Sequence, residues 1–301
     1  MAVRSISGPL PQPGAFLSDA FPWERQLWLW PHLLSLDAPL IAVLWQVLLT
    51  RDLGIHVSWG EPFVLALCVW SVYVGDRVLD VMRPRTAGWE PARKTFYRDH
   101  FRIASTVGLC LLSTVLPLAY YLLKRSTFYA GLALTVPLLS YLIFVHLAPV
   151  RWRARWPREM AVACVFTLGV FLAVWVGDGR NLHPLWAPAI LFSLLCWANC
   201  CAIETWEWQE NVHHIEGEPS RSTWWAAQYL TLLTLGIACL AALMGYMALA
   251  PLRFSLAVFF SGAALATLAT CRSYLPMNGL RVVADLALCT PLLVLLFTFF
   301  S

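Results

Sequence analysis

The sequence predicts an all-α polytopic membrane protein with nine transmembrane helices. Three observations carry that expectation. Of the 301 residues, 59% are hydrophobic and 13% charged, where an ordinary globular chain carries about 25% charge. The mean hydropathy of +0.66 is too high for a soluble fold to hide so much apolar surface. Nine stretches are apolar enough to approach the roughly 20 residues that a spanning helix needs. They run near 33–50, 61–80, 103–123, 127–148, 160–177, 184–205, 223–249, 254–271 and 282–300.

Taken in order, residues 1–32 read as a cytoplasmic or interfacial N-terminal tail. It contains FPWERQLWLW (21–30), whose tryptophans suit the membrane interface. Residues 33–301 read as one nine-helix domain, because the intervening loops are short. The N-terminus lacks a basic start followed by an apolar core, so no cleavable signal peptide is expected. Eight of the nine cysteines stand inside apolar runs and read as small packing residues rather than a disulfide framework.

Orientation follows from Lys and Arg. Sixteen of the 21 fall in the tail and every second loop, leaving Arg51, Lys124, Arg125, Arg180 and Arg253 on the other side. The N-terminus is therefore expected in the cytoplasm and the C-terminus across the membrane. An inner or plasma membrane is the expected location. The charges sit at the membrane edge, so nucleic acid is not an expected partner; membrane lipid is. Oligomeric state is not legible.

Two polar clusters end on the cytoplasmic side. The second apolar stretch closes with VYVGDRVLDVMRPRT (72–86). Asp76 and Asp80 share a helix face at i and i+4. Near lipid, adjacent carboxylates need compensation. Salt bridges to Arg77, Arg83 or Arg85 would supply it. So would a divalent metal such as Mg²⁺, which takes one or two carboxylates and completes its shell with water and phosphate oxygens. The second cluster lies in WANCCAIETWEWQENVHH (197–214). On a helix, Asn199, Glu204, Glu207, Glu210, Asn211 and His214 fall within an arc of about 140°. VRWRARWPRE (150–159) adds Arg151 and Arg153, an anchor or a diphosphate clamp. Trp197, Trp206 and Trp208 could face a cation or simply pack. Asp285 follows Arg281 by four residues and reads as its ion-pair partner.

The motif of Asp76-Arg77-x-x-Asp80, followed by Arg85-Thr86, resembles the first Asp-rich motif of the UbiA superfamily of intramembrane prenyltransferases. Asp37-Ala38-Pro39 in helix 1 and the basic stretch before helix 5, with Pro157, are similar to weaker features of that family. Two departures mark the chain as divergent. Val72-Tyr73 stands where the family has Asn-Asp. The second Asp-rich motif is replaced by Glu207-x-x-x-Asn211, with Glu204 one turn earlier.

The resemblance implies a nine-helix bundle around a central cavity and Mg²⁺-dependent transfer of an isoprenoid group from an allylic diphosphate to an acceptor. It implies Asp76, Asp80, Glu204 and Glu207 as catalytic residues. The same four, with Asn211, would bind metal, and Arg77, Arg85, Arg151 and Arg153 would bind the substrate diphosphate. Two alternatives stay open: a terpene cyclase of the same superfamily, and a non-catalytic lipid-binding or assembly protein on the same scaffold.

Overall fold

A computed structural model describes residues 27–82, 90–148, 158–177, 185–210 and 221–299. Every regular element among them is helical. We number the α-helices α1 Trp30–Leu33, α2 Asp37–Asp52, α3 Gly60–Val81, α4 Ala92–Asp99, α5 Phe101–Leu122 and α6 Arg125–Leu147. There follow α7 Arg158–Gly177, α8 Trp186–Glu210, α9 Arg221–Tyr246, α10 Leu252–Cys271, α11 Met277–Ala287 and α12 Thr290–Phe299. Among the described residues, eight spans are long and apolar enough to cross a membrane, with α11 and α12 counted as one.

The expected first span is the exception. At 16 residues, α2 is about 24 Å long, short of a hydrocarbon core about 30 Å thick. The chain reaches it through a short turn, Leu27–Leu29, and α1, at a bend of 77°. Ser35 makes the bend with φ at 55°, a left-handed conformation uncommon outside glycine. Its hydroxyl shares a 3.2 Å hydrogen bond with the Tyr97 hydroxyl on α4. Leu29 and Leu33 from the end of the tryptophan-rich segment are inserted among Val74, Phe96 and Tyr97. Trp30 lies edge-on to Phe96.

The last span is interrupted at Leu288 and Cys289. A helix break leaves carbonyls without intrahelical donors, and a distant side chain repairs this one. The fully buried Trp45 indole donates to the Leu288 carbonyl at 2.8 Å. Thr290 donates to the Ala257 carbonyl at 2.8 Å and meets the Ser261 hydroxyl at 2.7 Å.

The core centres on α8, which packs against α7, α9, α10 and α11. Trp45, Phe171, Phe192 and Phe254 fill it with aromatic contacts. By contrast, α5 and α6 keep most of their apolar surface outside, as helices facing lipid would. Small residues bring α9 and α10 together: a Cβ on Gly262 would stand 2.9 Å from the Thr234 carbonyl oxygen. At the side opposite the acidic clusters, Asp52 accepts the backbone N–H of Phe254 at 2.8 Å, anchoring the start of α10. All nine cysteines are unpaired.

Candidate functional site

Alternating helix directions gather the charged residues at one end of the bundle. The ends of α3, α6 and α8 meet the starts of α2, α7 and α11 there, with α4 alongside.

Asp76 and Asp80 share a face of α3, as their spacing requires. Arg77 lies between them, with Nη1 3.2 Å from Asp80 and 3.5 Å from Asp76. His146, at the end of α6, places Nε2 3.1 Å from Asp76 Oδ1. One ligand atom from each of Asp76, Asp80 and His146 lies within 4.8 Å of the others. Both carboxylates are partly exposed, Asp76 at 24% and Asp80 at 29%. Salt bridging is thus present, and the donor set also fits a divalent ion that keeps part of its water shell.

Glu204 and Glu207 reach the same end of the bundle but do not join that group. Arg158 holds Glu204 at 3.2 Å and also pairs with Glu159. Glu207 pairs with Arg281. Both glutamates therefore have arginine partners from the starts of neighbouring helices. Their helix, α8, runs to Glu210 and carries the stripe beyond the expected end at 205. Arg85, Arg151, Arg153 and Asn211 lie outside the described residues.

Arg281 corrects one expectation. It makes no ion pair with Asp285, because its guanidinium goes across to Glu207. Asp285 turns the other way. It lies 3.5 Å from His32 Nδ1 and accepts the Asn199 amide at 3.3 Å. His32 also meets Asp37 at 2.7 Å. Tyr73 has Asp37, Asp285, Arg77 and Cys200 as its ionisable neighbours, which puts a phenol near two of the acids.

Sequence reading missed Arg93. It counted as one more cytoplasmic positive charge, yet it is 8% exposed. It has no hydrogen-bond or ion-pair partner among the described residues. Its charged neighbours are Arg77, Asp37 and Asp285. Burial, with the nearby Arg77, holds its pKa below the usual guanidinium value, outweighing the pull of the two aspartates. The signal was helical periodicity: Arg93, Phe96 and Tyr97 share one face of α4, and all three are buried. Arg281 lies within the fields of Arg93, Arg77, Asp285 and Asp37. Arg77, Arg93 and Arg281 are thus electrostatic neighbours of one another, with Arg77 on the Asp76–Asp80 pair.

Nearby, Glu90 is set differently. It hydrogen-bonds Arg98 and pairs with Lys94 at 3.1 Å. The Arg98 hydrogen bond in particular lowers its pKa to about 2. This pair braces α4, which carries Arg93.

No family model, no curated protein and no solved structure matches this chain.

Proposed function

We propose that the chain is a divergent UbiA-type prenyltransferase, a nine-span membrane protein with its N-terminus in the cytoplasm. It transfers an isoprenoid group from an allylic prenyl diphosphate to an acceptor within the membrane. The bent α1–α2 pair supplies the ninth span in this reading. The observation that carries it is Arg93, buried and without a partner among the described residues, an electrostatic neighbour of Arg77, Arg281 and the partly exposed Asp76. Buried guanidinium groups are ordinarily paired. A diphosphate offers several anionic oxygens to groups with this fork geometry.

In this reading Asp76 and Asp80 would hold Mg²⁺, which supplies charge stabilisation to the departing diphosphate. Arg77, Arg93 and Arg281 bind the diphosphate and stabilise its oxygens as the allylic C–O bond breaks, its electron pair leaving with the diphosphate. Arg85, Arg151 and Arg153 would add charge from the two loops. Glu204 and Glu207 orient Arg158 and Arg281 rather than binding metal alone. The isoprenoid tail runs toward the apolar walls of the bundle, where water does not compete for the cation.

One observation favours a second reading, a terpene cyclase. Trp197 and Trp225 stack with ring centroids 6.5 Å apart and planes 16° apart, offering aromatic faces to a cation near the acidic end of α8.

The test is to incubate purified protein with Mg²⁺, prenyl diphosphates of increasing length and a panel of aromatic acceptors. A prenylated acceptor supports the transferase. A terpene hydrocarbon or alcohol formed from the diphosphate alone supports the cyclase. Unreacted diphosphate throughout contradicts both and leaves the lipid-binding or assembly reading.

A further inference from the structure

A second group of metal-ligating side chains lies apart from the Asp76–Asp80 pair. His32 comes from α1, Asp37 from the start of α2, Asp285 from α11 and Asn199 from α8. His32 Nδ1 stands 2.7 Å from Asp37 Oδ2 and 3.5 Å from Asp285 Oδ2. The three ligand atoms are mutually within 4.8 Å. Ligands bound to one ion at about 2.0–2.2 Å lie roughly 3–3.5 Å from each other. The observed separations bracket that range.

Hydrogen bonding leaves this group incompletely satisfied. One imidazole nitrogen carries a single proton or a single lone pair, yet two carboxylates approach it. Asn199 gives an amide proton to Asp285. Its own Oδ1 has no hydrogen-bond partner, although the residue is 6% exposed. A half-turn of that amide presents Oδ1 to the carboxylates, an arrangement that a cation between them stabilises.

We propose that His32, Asp37, Asp285 and Asn199 bind a divalent transition ion, of which Mn²⁺ and Zn²⁺ are the representative cases. An imidazole among oxygen donors selects such ions over Mg²⁺ and Ca²⁺. The site is structural. It ties the bent entrance to the first span onto α11 of the last span, joining chain segments separated by about 250 residues. It shares no residue with the Asp76–Asp80 pair and does not depend on the prenyltransferase reading.

The test uses the full chain purified in detergent, with metal content measured after dialysis against Mn²⁺ or Zn²⁺. All variants are made in the D76N/D80N background, where the first acidic pair can no longer hold an ion. About one equivalent is expected in D76N/D80N itself. Added H32Q or D285N should lose it, and added N199L should bind at least about tenfold more weakly. Mn²⁺ or Zn²⁺ should raise the melting temperature of D76N/D80N but not of the same protein with H32Q. Should H32Q or D285N fail to fold, the D76N/D80N titration and N199L still decide. D76N/D80N with no bound ion, equal binding on adding N199L, or an ion retained on adding H32Q or D285N overturns the proposal. Prenyl diphosphate turnover is a separate readout, so failure of the enzymatic reading leaves these stoichiometries untouched.

Discussion

Replacing Arg93 with methionine separates a binding role from a structural one by the sign of its effects. Arg93 is buried, has no partner among the described residues, and has its charged form disfavoured by burial and by Arg77. Removing the charge therefore relieves a penalty in the empty protein. Methionine fills similar space with flexible apolar atoms. The R93M protein should melt within a few degrees of wild type, or above it. Binding should move the other way. A charge-assisted hydrogen bond contributes about 1.5–3 kcal/mol, so its loss weakens diphosphate binding about 10- to 150-fold. R93K keeps the charge without the planar fork and should fall between. The assay is calorimetric or competitive binding of a prenyl thiodiphosphate analogue in detergent with Mg²⁺, paired with thermal melts. An R93M protein that melts far below wild type yet binds the analogue unchanged would refute the reasoning. Arg93 would then be a packing and charge-balancing residue.

Other consequences are simpler. Trp45→Phe removes the donor to the Leu288 carbonyl at the break in the last span and should cost about 1–3 kcal/mol in detergent melts. Gly262→Ala puts a Cβ against the Thr234 carbonyl and should cost about 1–3 kcal/mol by forcing α9 and α10 apart; a substitution on the outer face of α5 serves as the control. The Glu90 pKa is depressed from 4.5 to about 2 in the folded protein. Its stabilisation is present above the unfolded value and disappears as pH falls through about 2. The pair is partly exposed, so the effect should stay below about 1 kcal/mol. It should be absent in Glu90→Gln when melts are compared between pH 5 and 2.

The helices were legible because lipid imposes a simple rule, about 20 apolar residues per crossing. Asp76 and Asp80 were legible as a pair because i and i+4 fix a shared helix face whatever surrounds them. What could not be read depends on contacts between distant segments. Asp285 had a plausible local partner in Arg281, but helix packing sends Arg281 to Glu207 and Asp285 to His32. His146 stood in an apolar run with no polar neighbour in sequence, and only the meeting of α3 and α6 brings it to Asp76. Tyr73 looked like a defect in a motif until its neighbours were known. The interruption at Leu288 is marked in the sequence by Pro291, which cannot donate to the carbonyl four residues earlier, but the side chain that repairs it belongs to the first span.

Magnesium-dependent release of diphosphate tests the central claim most directly. Purified protein in lipid nanodiscs, given an allylic prenyl diphosphate and Mg²⁺, should release diphosphate over repeated turnovers. Chelation should stop the release, and so should D76N or D80N, each with wild-type melting behaviour. Release that persists in both variants, or no release from a folded wild type with any prenyl chain length, would contradict the account.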